Sequence, residues 1–142
     1  MTLPAPGDRP RARIITACEL FGRDRVVAWC EALLSGSARD DDPAWPDISW
    51  LGGTIGWPTA WRRVWGARGL LHIGPAAHPE IVLDALSDDA WRVREMALKV
   101  ITAHGIDDSR GAVEACTSDP NERVRYQAWR ALGHPDPGTA SR

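Results

Sequence analysis

Asp88-Asp89-Ala90-Trp91-Arg92-Val93-Arg94-Glu95-Met96-Ala97 returns 31 residues later as Asp119-Pro120-Asn121-Glu122-Arg123-Val124-Arg125-Tyr126-Gln127-Ala128. The match runs on, with Lys99 meeting Arg130 and Ile101 meeting Leu132. Upstream, Ala60-Trp61-Arg62-Arg63-Val64 and Ala67 align with Ala90 to Arg94 and Ala97 at an offset of 30. A period near 30 residues is the mark of a solenoid, in which each repeat is a helix pair too small to bury its own apolar face.

Each copy carries helical periodicity. Over 89–103, Val93, Met96, Ala97, Val100 and Ile101 make one apolar stripe. The stripe over 120–132 is Val124, Ala128, Ala131 and Leu132, and over 58–72 it is Val64, Ala67 and Leu71. Asp88 or Asp89 and Asp119 stand where N-caps belong, and Gly105, Gly133 and Gly74 stand where helices end. Shorter helices are expected near 79–87 and 109–117. The N-terminal part offers a helix from Pro10 to about Leu20, and a second capped by Asp24 and closed by Gly36. A loop of about 22 residues, 36–57, then carries Asp40, Asp41, Asp42, Trp45, Asp47, Ile48, Trp50 and Leu51. It holds too much apolar surface to stay wet, so it is expected to fold across the helices.

The pattern of an acidic turn residue, Val-Arg, Ala and a closing aliphatic in 88–101 and 119–132 resembles the HEAT-repeat family, including its short bacterial forms. The resemblance covers 58–133, a little over half the chain. It implies an all-α fold, a short α-solenoid of helix pairs, with the second helix of each pair lining a concave face. It also implies a structural ladder in which Arg94 and Arg125 pair with turn carboxylates such as Asp88 and Asp119. The first copy departs from the pattern, because Trp57-Pro58 replaces the acidic turn and the order is Arg63-Val64, which leaves a ladder contact there open. The expected organisation is one domain over 1–133 with a disordered tail over 134–142.

Bulk composition narrows the function classes. Charged residues are 25% and net charge is -2; residues 1–56 hold 6 basic and 8 acidic side chains, and 57–142 hold 11 of each. A duplex-DNA binder ordinarily shows a basic excess on one domain, so nucleic acid is not favoured by charge. Sixteen of the 17 basic residues are Arg, the bias of a GC-rich bacterial genome. Cys18, Cys30 and Cys116 form no metal-ligand spacing, and His72, His78, His104 and His134 lie near no nucleophile. Gly52-Gly53-Thr54-Ile55-Gly56 lacks the lysine of a phosphate loop. No cofactor, metal or catalytic group is expected. Without an apolar leader or spanning run, the expected location is cytoplasmic.

Eight tryptophans against one Phe and one Tyr are the chemical signal that remains. Trp57, Trp61 and Trp65 stand at i, i+4 and i+8. Superposing the long helices puts Trp61, Trp91 and Glu122 in one row, Trp65, Glu95 and Tyr126 in the next, and Arg62, Arg92 and Arg123 in a third. Such a face suits stacking a planar ligand or gripping a peptide. The bland alternative is that the tryptophans pack against the loop at 45–51. The expected function is a non-catalytic scaffold binding a protein or peptide partner through Trp61, Arg62, Trp65, Trp91, Arg92, Glu95, Arg123 and Tyr126, with homodimerisation as a secondary expectation. The alternative is an enzyme resembling the HEAT-like DNA glycosylases, with Glu95 as the acidic group. Arginines paired with acids would be scaffold, whereas an unpaired one would await an anion.

Overall fold

The structure is a computed structural model, described over residues 2–74 and 76–133. It contains α1 (Pro10–Phe21), α2 (Arg23–Leu34), α3 (Ala60–Ile73), α4 (Pro79–Asp84), α5 (Trp91–His104), α6 (Ala112–Ala115) and α7 (Glu122–Ala131), and no strand among the described residues. Tight 3-10 turns extend α4 over Ala85–Ser87 and α6 over Cys116–Ser118. A third, Ile48–Leu51, lies between α2 and α3. The expected tail over 134–142 lies outside the described residues.

The long helices α3, α5 and α7 pack in succession, and α2 packs on α3, α4 on α5 and α6 on α7. The molecule is therefore three helix pairs in a stack, α2/α3, α4/α5 and α6/α7. Helix α1 rests on α2, α3 and the 48–51 turn, closing the N-terminal end, where an uncovered pair would leave apolar surface in water. The core runs unbroken through the stack: Val26, Cys30 and Leu33 of α2, Ala67 and Leu70 of α3, Val93, Ala97 and Leu98 of α5, and Val124 and Ala128 of α7 are all inaccessible.

The first pair packs more closely than the others because α3 has a notch. Gly66 and Gly69 face Cys30; a methyl on Gly66 would lie 2.6 Å from the Cys30 carbonyl oxygen, and one on Gly69 would collide with the Cys30 sulfur. Helix α5 ends as expected at Gly105, which takes left-handed backbone and donates to the Ile101 carbonyl.

Three expectations are corrected. Asp88 and Asp119 are not the N-caps of α5 and α7, which are Ala90 and Asn121. Each carboxylate instead accepts the amide two residues on, at 2.9 Å for Ala90 and 2.8 Å for Asn121, closing a turn before the helix. Second, the ladder runs forward: Arg63 grips Asp88 at 2.6 and 3.2 Å, and Arg94 grips Asp119 at 2.7 and 3.1 Å. An arginine of one pair thus holds the turn of the next, and the departing first copy takes part through Arg63. Third, the offset between the first and second copies is 31, not 30. Arg63, Arg94 and Arg125 are equivalent, and the buried Gly66, Ala67 and Leu70 then fall on the buried Ala97, Leu98 and Ile101.

The 36–57 segment crosses the helices and is tied down by arginines. Arg13 donates to Ser49 O at 2.9 Å, Arg25 to Ala44 O at 2.6 Å and Arg68 to Leu51 O at 2.7 Å. Asp40 is buried, pairs with Arg62 at 3.4 Å and accepts the Gly56 amide at 3.2 Å. Across the stack, the buried Glu31 of α2 accepts the His78 amide at 2.6 Å at the start of α4, where a carboxylate suits the helix dipole. His104 Nε2 reaches the Leu70 and Leu71 carbonyls, at the end of α3 rather than of its own helix, at 3.0 and 3.1 Å.

Candidate functional site

Register decides which side chains meet on the α3–α5–α7 layer. With a uniform period of 31, Trp61, Arg92 and Arg123 are equivalent, and the expected rows break up. Arg92 of α5 lies over the Trp61 ring of α3 at 5.3 Å and over the ring of its own neighbour Trp91 at 4.5 Å, and Arg123 of α7 lies over Trp91 at 5.7 Å. The result is an alternating indole–guanidinium run from α3 through α5 to α7, each step a cation–π contact.

Trp57 extends this run outward and Trp65 anchors it inward. The Trp57 and Trp61 rings meet edge-on at 5.4 Å, and Trp61 lies 6.4 Å from Trp65. Trp65 is 3% exposed and lies against Gly53, two residues beyond the 48–51 turn. The loop's own tryptophans turn elsewhere. Trp50 packs edge-on against Phe21 at 5.8 Å and donates to Thr2 O at 3.0 Å, and Trp45 lies under Arg25 at 5.2 Å. Trp57 is 48% exposed and belongs with the face. Its place in the i, i+4, i+8 stripe was the signal for it.

The three arginines answer differently to the question of pairing. Arg62 faces the buried Asp40 at 3.4 Å, and Arg123 faces Glu95 at 3.4 Å. Arg92 is exposed and has no carboxylate partner among the described residues. Glu95 is 8% exposed and engaged by Arg123. Tyr126 stands apart from the indole run, with Arg130 over its ring at 5.9 Å. Of the residues expected here, Trp61, Trp91, Arg92, Arg123 and Glu95 come together, Arg62 and Trp65 turn inward, and Tyr126 makes its ring contact with Arg130 rather than with an indole.

Of the three consecutive aspartates Asp40 alone is buried; nothing in an Asp-Asp-Asp run says which member folds inward. Asp47 caps the 48–51 turn through the Ser49 amide at 2.9 Å. Among the described residues no three His, Cys, Asp or Glu side chains gather into a group able to hold a metal ion. Burial raises the thiol pKa of Cys18, Cys30 and Cys116, which disfavours the thiolate a nucleophile needs. Burial also lowers the His72 pKa, with Arg11 and Arg68 adding to the effect.

A stack of helix pairs crossed by a forward Arg–Asp ladder, with an aromatic–cationic run along its long helices, is an α-solenoid of helical repeats. Residues 79–140 match the family model of HEAT repeats. No curated protein and no solved structure matches the chain. No helix among the described residues is long and apolar enough to cross a membrane.

Proposed function

We propose that the protein is a non-catalytic interaction module of the cytoplasm, binding a protein or peptide along the α3–α5–α7 layer with Arg92 at the centre of the contact. HEAT repeats in general mediate protein interactions, which supports the class. The observation that carries the reading is the state of Arg92. A guanidinium that lies over both the Trp61 and the Trp91 rings spends no N–H donor on a carboxylate there and keeps its donors for an acceptor. Its neighbours Arg62 and Arg123 are already neutralised by Asp40 and Glu95. One rigid fork beside the exposed Trp57 fits a partner segment offering one carboxylate and one apolar side chain. A nucleic-acid backbone asks for several uncompensated cations in a row, and Glu95 as a reacting group would first have to leave Arg123.

The test is affinity capture from lysate of the cells that make the protein, with and without nuclease, using the parent chain, Arg92→Ala and Trp57→Ala. The expected result is a stoichiometric protein that survives nuclease and falls about tenfold in both variants, the size of a hot-spot truncation, while their circular dichroism is unchanged. Nucleic acid as the main bound species, depleted by nuclease, overturns the reading and sends attention to Glu95.

A further inference from the structure

The last two pairs divide their charge by layer, although the chain as a whole is close to neutral. Helices α5 and α7 carry six Arg and Lys side chains against two acids, Glu95 and Glu122. The segments that hold α4 and α6 with their turns, 79–89 and 105–121, carry Arg110 against eight acids. Helix α3 adds Arg62, Arg63 and Arg68 to the basic layer and no acid. Most of these cations are spent. Arg62, Arg63, Arg94 and Arg123 face carboxylates, Arg68 donates to the Leu51 carbonyl, and Arg125 donates to those of Asp119 and Pro120. Arg92, Lys99 and Arg130 remain, and none of them has a carboxylate partner among the described residues.

Lys99 and Arg130 share a groove of about 270 Å³ with Leu71, Thr102, Ala103 and Gln127. With the period of 31 both are equivalents of Arg68, so the groove lies where one cation recurs in every pair. No acidic side chain lines it. Arg130 is engaged by the Tyr126 ring at 5.9 Å, and the buried Gln127 makes no side-chain hydrogen bond among the described residues. All three long helices line the groove and neither α4 nor α6 does. It therefore belongs to a face that a further repeat would lengthen and not cover.

We propose that an acidic peptide in extended conformation occupies this face, with one carboxylate at Arg92 and a second between Lys99 and Arg130. This rests on the reading of the α3–α5–α7 layer as a peptide face and adds the charge and spacing of its occupant. Seven residues of helix separate Arg92 from Lys99, a rise of about 10 Å. A polyproline II backbone returns to the same side every third residue, after about 9 Å, so the two acids stand three residues apart. Met96, half-buried, is one turn from each cation on the same helix face and meets the residues between the acids. A sugar-phosphate chain fits less well: Met96, Leu71 and Ala103 break up the three cations, whereas phosphate binding asks for an unbroken run.

The experiment selects phage-displayed random peptides on the immobilised full chain, then measures the enriched sequences as fluorescein-labelled peptides by anisotropy. The expected peptides carry Asp or Glu at two positions three apart, and Lys99→Glu weakens them at least tenfold, a hot-spot loss. Replacing the second acid of the peptide by Ala costs as much on the parent chain and makes the peptide indifferent to Lys99→Glu. Ala103→Glu is the second variant, since Ala103 is exposed and its change removes no hydrogen bond; it too must weaken binding tenfold. Peptides with a single acid, weakened by Arg92→Ala but by neither Lys99→Glu nor Ala103→Glu, overturn the second contact and leave the Arg92 face standing. Peptides indifferent to Arg92→Ala as well, no enriched peptide, or a DNA or RNA oligonucleotide that outcompetes the best peptide overturn both.

Discussion

Arg94 joins two repeats with a single guanidinium, bracing its own turn through Nη1 and the next through Nε and Nη2. Hydrogen bonding to Asp119 raises its pKa. Burial alone would raise the Asp119 carboxyl, but the Arg94 hydrogen bond and the Asn121 amide outweigh it and hold the group below the ordinary carboxylate range. Replacing Arg94 by Ala strands a largely buried carboxylate, and is expected to lower stability by about 3 kcal/mol, the low end for breaking a buried pair. Urea unfolding at pH 7 measures it, as a lower midpoint at unchanged slope. The sign with pH follows from the lowered folded-state pKa. The stability this pair adds is fully present above the unfolded carboxylate value of about 3.9 and drains as pH falls through the lower folded value. The gap between parent and Arg94→Ala therefore narrows from pH 5 downward; a constant gap would mean the ion pair contributes nothing. That Arg94 and an Asp would pair was legible through the family resemblance. Which Asp was not, because spacing shows what recurs and leaves open whether a carboxylate meets its own repeat's arginine or its neighbour's.

Among the elements, α3 is where local pattern and packing part company. Matching Trp61 to Trp91 gives an offset of 30, since large identical side chains dominate the sequence pattern. Burial follows 31, because the residues that must be small where α2 crosses are Gly66 and Gly69, and glycine contributes nothing to an apolar stripe. The notch yields a prediction opposite to helix propensity. Gly66→Ala should gain up to about 1 kcal/mol within an isolated helix. In this protein its methyl meets the Cys30 carbonyl oxygen at 2.6 Å, backbone that cannot rotate away. A net loss of about 1–3 kcal/mol is expected, seen as a lower melting temperature; a rise would show that α2 slides freely on α3. The 36–57 loop shows the same limit of pattern. Its apolar residues revealed that it must fold, but Arg13, Arg25 and Arg68 hold it through backbone carbonyls, which any residue supplies and no motif announces.

For the molecule as a whole, the two ends are finished differently. Deleting residues 1–22 removes α1 and bares the surface of α2, α3 and the 48–51 turn that Ile14, Ala17 and Phe21 cover. The truncated chain is expected to bind a hydrophobic dye and to self-associate in light scattering, whereas the full chain does neither to the same extent. A truncated chain as monomeric and dye-silent as the parent would remove α1 from the role of cap. The helical stack was legible from the 31-residue period because solenoid contacts are local in sequence. The closure of its first pair was not, since it depends on contacts such as Arg13 to Ser49 across 36 residues.

The four-residue α6 has a consequence for how the molecule comes apart. Among the described residues the pair α6/α7 has a neighbour on one side only, and α6 spans just Ala112–Ala115 before tightening into its 3-10 turn. A one-dimensional stack opens from its weakest terminus, so the chain should unzip backward from α7, with α1 and the strapped loop acting as a latch at the other end. Native-state hydrogen exchange would then read as a gradient: α7 amides fastest, α5 slower, and α2 and α3 together at the global limit. Whatever steadies α7 would act as a second latch, and would register as slower exchange across 106–133, including amides it never touches.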